Sequence, residues 1–141
     1  MQEDEAAKNK TQLKIEKEPI EDINIETVAL ILKQLEKFEN EKRFLGKDWT
    51  LVTLSAAFNS NTKYLAAILS HYRDKGFNEY INGLRIEYII NLLKNDYKFR
   101  KYTYEALANE AGFSSTQRFA NAFLAKAGMP VSFFIQQINK M

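Results

Sequence analysis

The sequence of 141 residues contains no cysteine, only one histidine, two prolines and five glycines. Without cysteine the chain has no disulfide framework, no thiolate zinc site and no cysteine nucleophile. The single histidine, His71, excludes a metal site built from several histidines. So few prolines and glycines are not typical of a loop-rich β-fold. No run approaches the ~20 apolar residues of a membrane span and no signal-peptide pattern is present, so we expect a cytoplasmic protein that makes no membrane contact through this segment.

Charge is plentiful but unevenly divided along the chain. Residues 1–42 hold seven lysines and eleven acidic residues, a net charge of −4. Residues 43–141 hold thirteen lysines and arginines and seven acidic residues, a net charge of +6. The basic body favours an anionic partner such as nucleic acid or a membrane surface, although an ordinary solvated lysine-rich surface has the same composition.

Apolar residues recur with helical spacing once the chain passes residue 22. Residues 1–22 are charged and polar, which indicates a linker or tail. Residues 23–44 contain a leading amphipathic helix, for which Asn24 is the predicted N-cap. Its apolar stripe consists of Val28, Ile31, Leu32, Leu35 and Phe38.

The longest predicted helix covers residues 77–94 and carries apolar residues on two sides. Its two stripes consist of Phe77, Tyr80, Ile81, Leu84 and Tyr88, and of Ile86, Ile90 and Leu93. A helix of this kind is buried on two sides and is expected to join two halves of a protein. No window alternates polar and apolar residues for long enough to form a strand, so the predicted fold is all-α with about seven helices.

The chain also repeats itself. A shift of 53 residues aligns Thr50 with Thr103 and Leu54 with Leu107, and a shift of 54 then aligns Leu65 with Phe119. Each copy combines a short capped helix, a tight turn and a second helix, which is the plan of a helix-turn-helix motif, here at residues 50–72 and 103–126. A capping box formed by Ser114 and Gln117 is predicted to open the second helix of the second copy.

The second helix of such a motif can enter the major groove of DNA. With Phe119 and Phe123 directed inward, the outward residues of the second copy are Thr116, Gln117, Ala120, Asn121 and Leu124, with Arg118 on the flank. Glutamine and asparagine pair with adenine, and arginine pairs with guanine. The outward residues of the first copy are Thr62, Lys63, Ala66, Ala67 and Ser70. Since alanine offers only methyl contacts, the second copy is predicted to be the better base reader.

The second copy contains two consecutive motifs, residues 103–108 (TYEALA) and 111–115 (AGFSS), which are specific when taken together with further positions in both halves. The further positions of the pattern in the second half are Phe119, Phe123, Gly128, Pro130, Ser132 and Phe134. In the first half they are Thr50, Leu54, Tyr64, Leu65, Phe77, Glu79, Tyr80, Ile81, Leu84, Arg85, Leu92 and Leu93. This pattern resembles the DNA-binding domain of the AraC/XylS family of bacterial transcription regulators over about two-thirds of the chain.

The resemblance implies a domain at residues 45–141 in which two helix-turn-helix units, joined by one long helix, bind adjacent major-groove segments of double-stranded DNA. It implies base reading by Thr116, Gln117, Arg118 and Asn121 and, in the first unit, by Lys63 with its neighbour Thr62. It also favours an upstream sensing or dimerisation domain outside this chain, with a stand-alone DNA-binding protein as the alternative. The sequence departs from the pattern in three ways: Asn59 replaces a glycine, Asp74 occupies the place of Gly128 in the other copy, and Ala66 and Ala67 replace polar reading residues.

Contacts to the DNA backbone are expected at helix N-termini and in the basic, aromatic segment at residues 97–102 (YKFRKY). The predicted backbone-contacting residues are Ser114, Ser115, Thr103, Lys98, Arg100 and Lys101. The segment at 97–102 is also typical of a connector with packed aromatic rings and solvated cations. Arg85 is expected to make structural hydrogen bonds or ion pairs rather than base contacts.

These observations bear on three possible functions. The first is a sequence-specific DNA-binding domain of a transcription regulator. The second is a helical protein–protein interaction module with the same fold and little DNA affinity, which Ala66 and Ala67 favour. The third is an enzyme, but the sequence offers no nucleophile–base pair, no suitably spaced carboxylates and no phosphate-binding glycine loop. We therefore expect no enzymatic activity and no cofactor.

Overall fold

The computed structural model describes residue 20 and residues 22–141, so nearly all of the predicted polar tail at 1–22 lies outside the described residues. The α-helices are α1 (Ile25–Asn40), α2 (Leu51–Ala57), α3 (Thr62–Arg73), α4 (Phe77–Asn95), α5 (Tyr104–Glu110), α6 (Thr116–Ala127) and α7 (Val131–Asn139). Two short 3-10 helices, Arg43–Leu45 and Tyr97–Lys101, lie in connecting segments. The described part of the chain contains no β-strand, which confirms the predicted all-α fold with about seven helices.

Side-chain caps fix the starts of several helices. Asn24 Oδ1 accepts a hydrogen bond from the Glu26 backbone N–H over 2.7 Å and caps α1 as predicted. Thr50 caps α2 through a reciprocal pair, because its Oγ1 accepts from the Thr53 N–H at 3.0 Å and its own N–H donates to Thr53 Oγ1 at 2.9 Å. These short-range bonds satisfy backbone donors that have no partner inside the helix.

The first of two compact units consists of α1 together with residues 50–77, which include α2 and α3. Both α1 and α2 pack against α3. Phe38 of α1 meets Phe58 edge to face, with ring centroids 6.2 Å apart, and Arg73 Nε donates to Glu39 Oε2 over 3.1 Å. The buried apolar residues of this unit are Val28, Ile31, Leu32, Leu35, Phe38, Leu54, Phe58, Leu65, Ile68 and Leu69. The leading helix is therefore part of the core of the first unit.

The second compact unit consists of residues 42–49 and 78–141. Helix α6 packs against both α5 and α7. The core of this unit contains Ile86, Ile89, Leu93, Phe99, Leu107, Ala108, Ala111, Phe113, Phe119, Phe123, Val131 and Ile138.

Arg85 is buried in the second unit and has the structural role that the sequence predicts. Its Nε donates to the Phe44 carbonyl over 2.8 Å and its Nη2 donates to the Gly46 carbonyl over 2.7 Å. The guanidinium also lies over the Phe113 ring, 5.5 Å from the centroid. Burial lowers the pKa of Arg85, and the negative charge of Asp48 opposes that shift. Arg85 thus ties the segment at 42–49 to α4.

Two further hydrogen bonds hold the segment at 42–49. Lys47 Nζ donates to Asn109 Oδ1 over 2.9 Å, which links the segment to α5. Within the segment, Trp49 Nε1 donates to the Arg43 carbonyl over 2.9 Å. Although this stretch connects two helices of the first unit, its polar contacts belong to the second.

Helix α4 differs in detail from the two stripes expected from the sequence. Ile89 is fully buried although it belongs to neither predicted stripe. Leu84, Tyr88 and Ile90 are only half-buried. The buried surface of α4 changes along the helix. It is formed by Tyr80 and Ile81 near the start and by Ile86, Ile89 and Leu93 further on, so a single helical stripe does not describe it.

Candidate nucleic-acid interface

The internal repeat is present in the helices themselves. Helices α2 and α5 each have seven residues and are offset by 53 positions, whereas α3 and α6 each have twelve and are offset by 54. The additional residue lies in the turn between α5 and α6. The structure therefore confirms two copies of a helix-turn-helix arrangement.

Both copies use left-handed backbone at the same two positions. In the turns, Asn59 has φ of +55° and Gly112 has φ of +85°. At the ends of the second helices, Asp74 has φ of +57° and Gly128 has φ of +77°. Asparagine and aspartate tolerate this conformation better than most residues. Asn59 and Asp74 thus replace glycine without altering the turn.

Helix α6 presents one apolar face to the core and one polar face to solvent. Phe119 and Phe123 are fully buried, and their rings pack edge to face with centroids 6.0 Å apart. The predicted reading residues Thr116, Gln117, Arg118 and Asn121 are all exposed. Leu124 is also 50% exposed on this helix. The structure therefore gathers four polar side chains in the first two turns of α6.

The polar residues of α6 are held to different degrees. Gln117 Nε2 donates to Asn121 Oδ1 over 2.9 Å. The Arg118 guanidinium, by contrast, has no hydrogen-bond or ion-pair partner among the described residues. A cation without a protein partner is available to a ligand at no cost in internal contacts.

Helix α3, the counterpart of α6, presents a less polar surface. Leu65, Ile68 and Leu69 form its buried face. The exposed residues opposite them are Thr62, Lys63, Ala66 and Ser70, and Ala67 is half-buried. Lys63 is the sole charged side chain of this set.

The N-terminus of α6 begins one residue later than predicted. Ser115 is the N-cap, because its Oγ accepts a hydrogen bond from the Arg118 N–H over 3.1 Å. The predicted capping box of Ser114 and Gln117 is therefore wrong, and the Gln117 side chain instead bonds to Asn121. Ser114 lies outside the helix with its side chain exposed.

Thr103 caps α5 as predicted, since its Oγ1 accepts from the Ala106 N–H over 3.1 Å. A link that the sequence analysis missed lies beside it. The Tyr104 hydroxyl accepts a hydrogen bond from the Ser132 backbone N–H over 2.9 Å and so ties the start of α7 to the start of α5. No local sequence signal joins two residues 28 positions apart.

The arginine of the basic segment is engaged by the protein. Arg100 Nε donates to the Leu93 carbonyl over 2.7 Å, Nη2 to the Lys94 carbonyl over 3.2 Å, and Nη1 to Asn139 Oδ1 over 3.0 Å. Every guanidinium nitrogen thus has an acceptor, and two of these are carbonyls at the end of α4. Arg100 therefore caps a helix C-terminus.

The lysines of the same segment are more accessible. Lys101 Nζ lies 5.3 Å from the centre of the exposed Tyr97 ring. Lys98 Nζ lies 5.1 Å from the Phe99 ring centre and forms a long ion pair of 3.8 Å with Asp96. Both lysines are exposed, so their ammonium groups can meet a phosphate without loss of a short ion pair.

The part of the chain that the structure describes lacks two other features, a metal cluster and a membrane-spanning helix. Within residues 22–141, no group of three or more His, Asp or Glu side chains is placed to hold a metal ion. Across the same residues, no helix is both long and apolar enough to span a membrane.

Comparison with protein-family models finds no match. Comparison with curated proteins also finds none. Solved structures, however, share the fold. One is the C-terminal domain of AraT, a response regulator from Geobacillus stearothermophilus, at 18% identity and a TM-score of 0.66, covering 77% of this chain and 84% of that one.

Two further structures agree. The C-terminal domain of the two-component response regulator yesN from Fusobacterium nucleatum is 19% identical, covers 74% of this chain and 97% of that one, and gives a TM-score of 0.62. A DNA-binding transcriptional dual regulator from Escherichia coli K-12 is 12% identical, covers 88% of this chain and 100% of that one, and gives a TM-score of 0.60. The chain therefore has the all-helical fold of these regulator domains, as its resemblance to the AraC/XylS family predicts.

Proposed function

We propose that this chain is a sequence-specific DNA-binding domain of a bacterial transcription regulator. The observation that carries the proposal is that α6, the second helix of a helix-turn-helix, exposes a polar face opposite its buried Phe119 and Phe123 side chains. Helices in this position enter the major groove and present their N-terminal residues to base edges. Two of the structural neighbours are described as response regulators and a third as a DNA-binding regulator.

Base reading is assigned mainly to α6. Arg118 suits guanine, because a guanidinium donates to both O6 and N7. Thr116, Gln117 and Asn121 supply shorter polar groups on the same surface. In the first unit, Lys63 and Thr62 are the available polar residues, and Ala66 offers only a methyl group. Reading by α3 is therefore weaker than reading by α6.

Contacts to the phosphates are assigned to exposed groups near the helix N-termini. Lys98 and Lys101 supply charge, and Ser114, which is not a cap, has a free hydroxyl to donate. Ser115 and Thr103 use their side-chain oxygens as caps, so near them a phosphate is left with the first-turn backbone N–H groups that the caps do not engage. Arg100 is omitted, because its guanidinium nitrogens already have acceptors within the protein.

The rest of the regulator is assigned by resemblance. An upstream domain would either sense a signal or join two chains into a dimer, so that two DNA-binding domains act together. A protein of this function works in the bacterial cytoplasm. No catalytic role is assigned to any residue. DNA is the single partner assigned to the described surface.

The test is a titration of a fluorescent duplex of about 25 base pairs at several salt concentrations. Neutralisation of six phosphates would lower the affinity about a thousandfold between 50 and 200 mM salt.

A second experiment selects preferred sites from a random-sequence library of duplexes. Arg118→Ala should lose about 1–3 kcal/mol of discrimination at one guanine. Lys33→Ala removes an equal charge from the exposed surface of α1 and should leave base preference unchanged.

A second function follows from the apolar exposed positions of the two candidate reading helices. Leu124 on α6 is 50% exposed, and Ala66 is exposed on α3. These positions favour a protein partner that docks on the same helices. A chain that shows no salt-dependent DNA binding, even at low salt, would support this module and overturn the DNA-binding proposal.

A further inference from the structure

Gln117 and Asn121 form one exposed amide pair on α6. The Gln117 Nε2–H donates to Asn121 Oδ1 over 2.9 Å, across one turn of the helix. Within the described residues this is the sole hydrogen bond that either side-chain amide makes, and both residues are exposed. The pair is therefore ordered by its own members and remains open to a ligand.

The bond leaves a definite set of groups free. A glutamine amide has one oxygen acceptor and two N–H donors. With one N–H given to Asn121, Gln117 keeps Oε1 and one donor. These are the two groups that a bidentate contact with adenine requires, because the major-groove edge of adenine offers N7 as acceptor and N6–H as donor.

Asn121 also limits which way the glutamine amide faces. If the Gln117 amide alone rotated by half a turn, its Oε1 would face Asn121 Oδ1, and two acceptors would meet without a proton between them. The hydrogen bond at 2.9 Å therefore restricts the Gln117 amide, before any DNA is bound, to orientations in which one of the two amides donates to the other. Ordering in advance reduces the side-chain entropy that binding would otherwise cost.

The other copy of the repeat cannot form this pair. With the offset of 54 residues between α3 and α6, Lys63 corresponds to Gln117 and Ala67 corresponds to Asn121. Lysine has no acceptor, and alanine has no polar group. The pair is thus peculiar to the second unit.

We propose that Gln117 and Asn121 act as one unit that reads a single adenine in the major groove. Gln117 makes the bidentate contact, and Asn121 is a positioning residue that orients the Gln117 amide. The proposal rests on the proposed function, since it names the base that the second recognition helix recognises.

The experiment compares wild-type protein with Gln117→Ala, Asn121→Ala and the double variant. Each protein is used to select sites from a random-sequence duplex library, and the preference for adenine is measured at every position. Both single variants should lose about tenfold in adenine preference at the same position. The double variant should lose no more than the larger single loss, because the two residues make one contact.

Two further variants separate positioning from general loss of binding. Asn121→Asp keeps the Oδ1 acceptor, so it should retain the adenine preference while its negative charge lowers affinity for all sequences alike. Gln136→Ala removes an exposed amide from α7 and should change neither quantity. Loss of the adenine preference in Asn121→Asp would overturn the positioning role.

The remaining outcomes are distinct. Single variants that change preference at two different positions, or whose effects multiply in the double variant, would show that each residue reads its own base and would overturn the inference. A wild-type chain without salt-dependent DNA binding would overturn the proposed function as well, and this is known before any variant is compared.

Discussion

Gly112 lies directly against the backbone of Leu45, so that a Cβ atom added to Gly112 would come to 2.5 Å from the Leu45 carbonyl oxygen. Its φ of +85° is also a conformation that L side chains rarely adopt. Gly112→Ala should therefore lower the free energy of unfolding by about 3 kcal/mol, part from the left-handed backbone and part from the clash. Urea denaturation of the purified variant measures this loss.

Gly128→Ala separates the two causes. Gly128 has a similar φ of +77°, but an added Cβ would meet nothing within 4 Å. Its substitution should cost about 1 kcal/mol, from the backbone alone. If Gly112→Ala cost no more than Gly128→Ala, the close approach to Leu45 would have no energetic weight.

Helix α1 should behave as part of the core of the first unit. Leu35 is fully buried, so Leu35→Ala should lower the free energy of unfolding by about 2–5 kcal/mol. Leu30 lies on the same helix but is 61% exposed, and Leu30→Ala should change stability by less than about 0.5 kcal/mol. Thermal unfolding followed by circular dichroism tests both. Equal, small effects of the two substitutions would mean that α1 contributes little to the stability of the first unit.

The position of the α6 cap gives a prediction about two adjacent serines. Ser115→Ala removes the acceptor for the Arg118 N–H and should cost about 1 kcal/mol of stability. Ser114→Ala removes an exposed hydroxyl outside the helix and should be close to neutral in stability. The reverse order in denaturant titrations would mean that the helix begins at Ser114 after all.

Arg85 should be difficult to replace. Arg85→Leu removes the donors to the Phe44 and Gly46 carbonyls and should destabilise the protein by about 3 kcal/mol. Arg85→Lys keeps the charge but offers a single ammonium in place of a planar fork, so its loss should be smaller though still measurable. A lysine variant as stable as wild type would show that the pair of hydrogen bonds is not needed.

The sequence predicts most of what is local. The caps at Asn24, Thr50 and Thr103 depend on residues two or three positions away, and the structure confirms all three. The repeat was also visible, since the offsets of 53 and 54 residues recur in the helix boundaries. Hydrophobic spacing and cap chemistry act over one helical turn, so a sequence window contains the information.

Features that depend on distant contacts were missed. Between the adjacent serines Ser114 and Ser115 the sequence offers two possible caps, and the structure uses Ser115. The engagement of Arg100 by Leu93 and Asn139 requires the ends of two helices to meet. For the candidate site, the outward set on α6 followed from helical spacing, but the Gln117–Asn121 bond did not, because two exposed amides can adopt many rotamers.

The path of the chain between the two units limits how this protein can be divided. Residues 42–49 belong to the second unit, although the helices on either side of them belong to the first. Neither unit is therefore a continuous stretch of sequence, so a single cut or a single crossover cannot separate one unit from the other. A shortened chain that starts at residue 45 would keep both motifs in sequence but lose the five buried residues of α1. A recombinant protein that keeps both units complete must therefore take residues 25–141 as one piece.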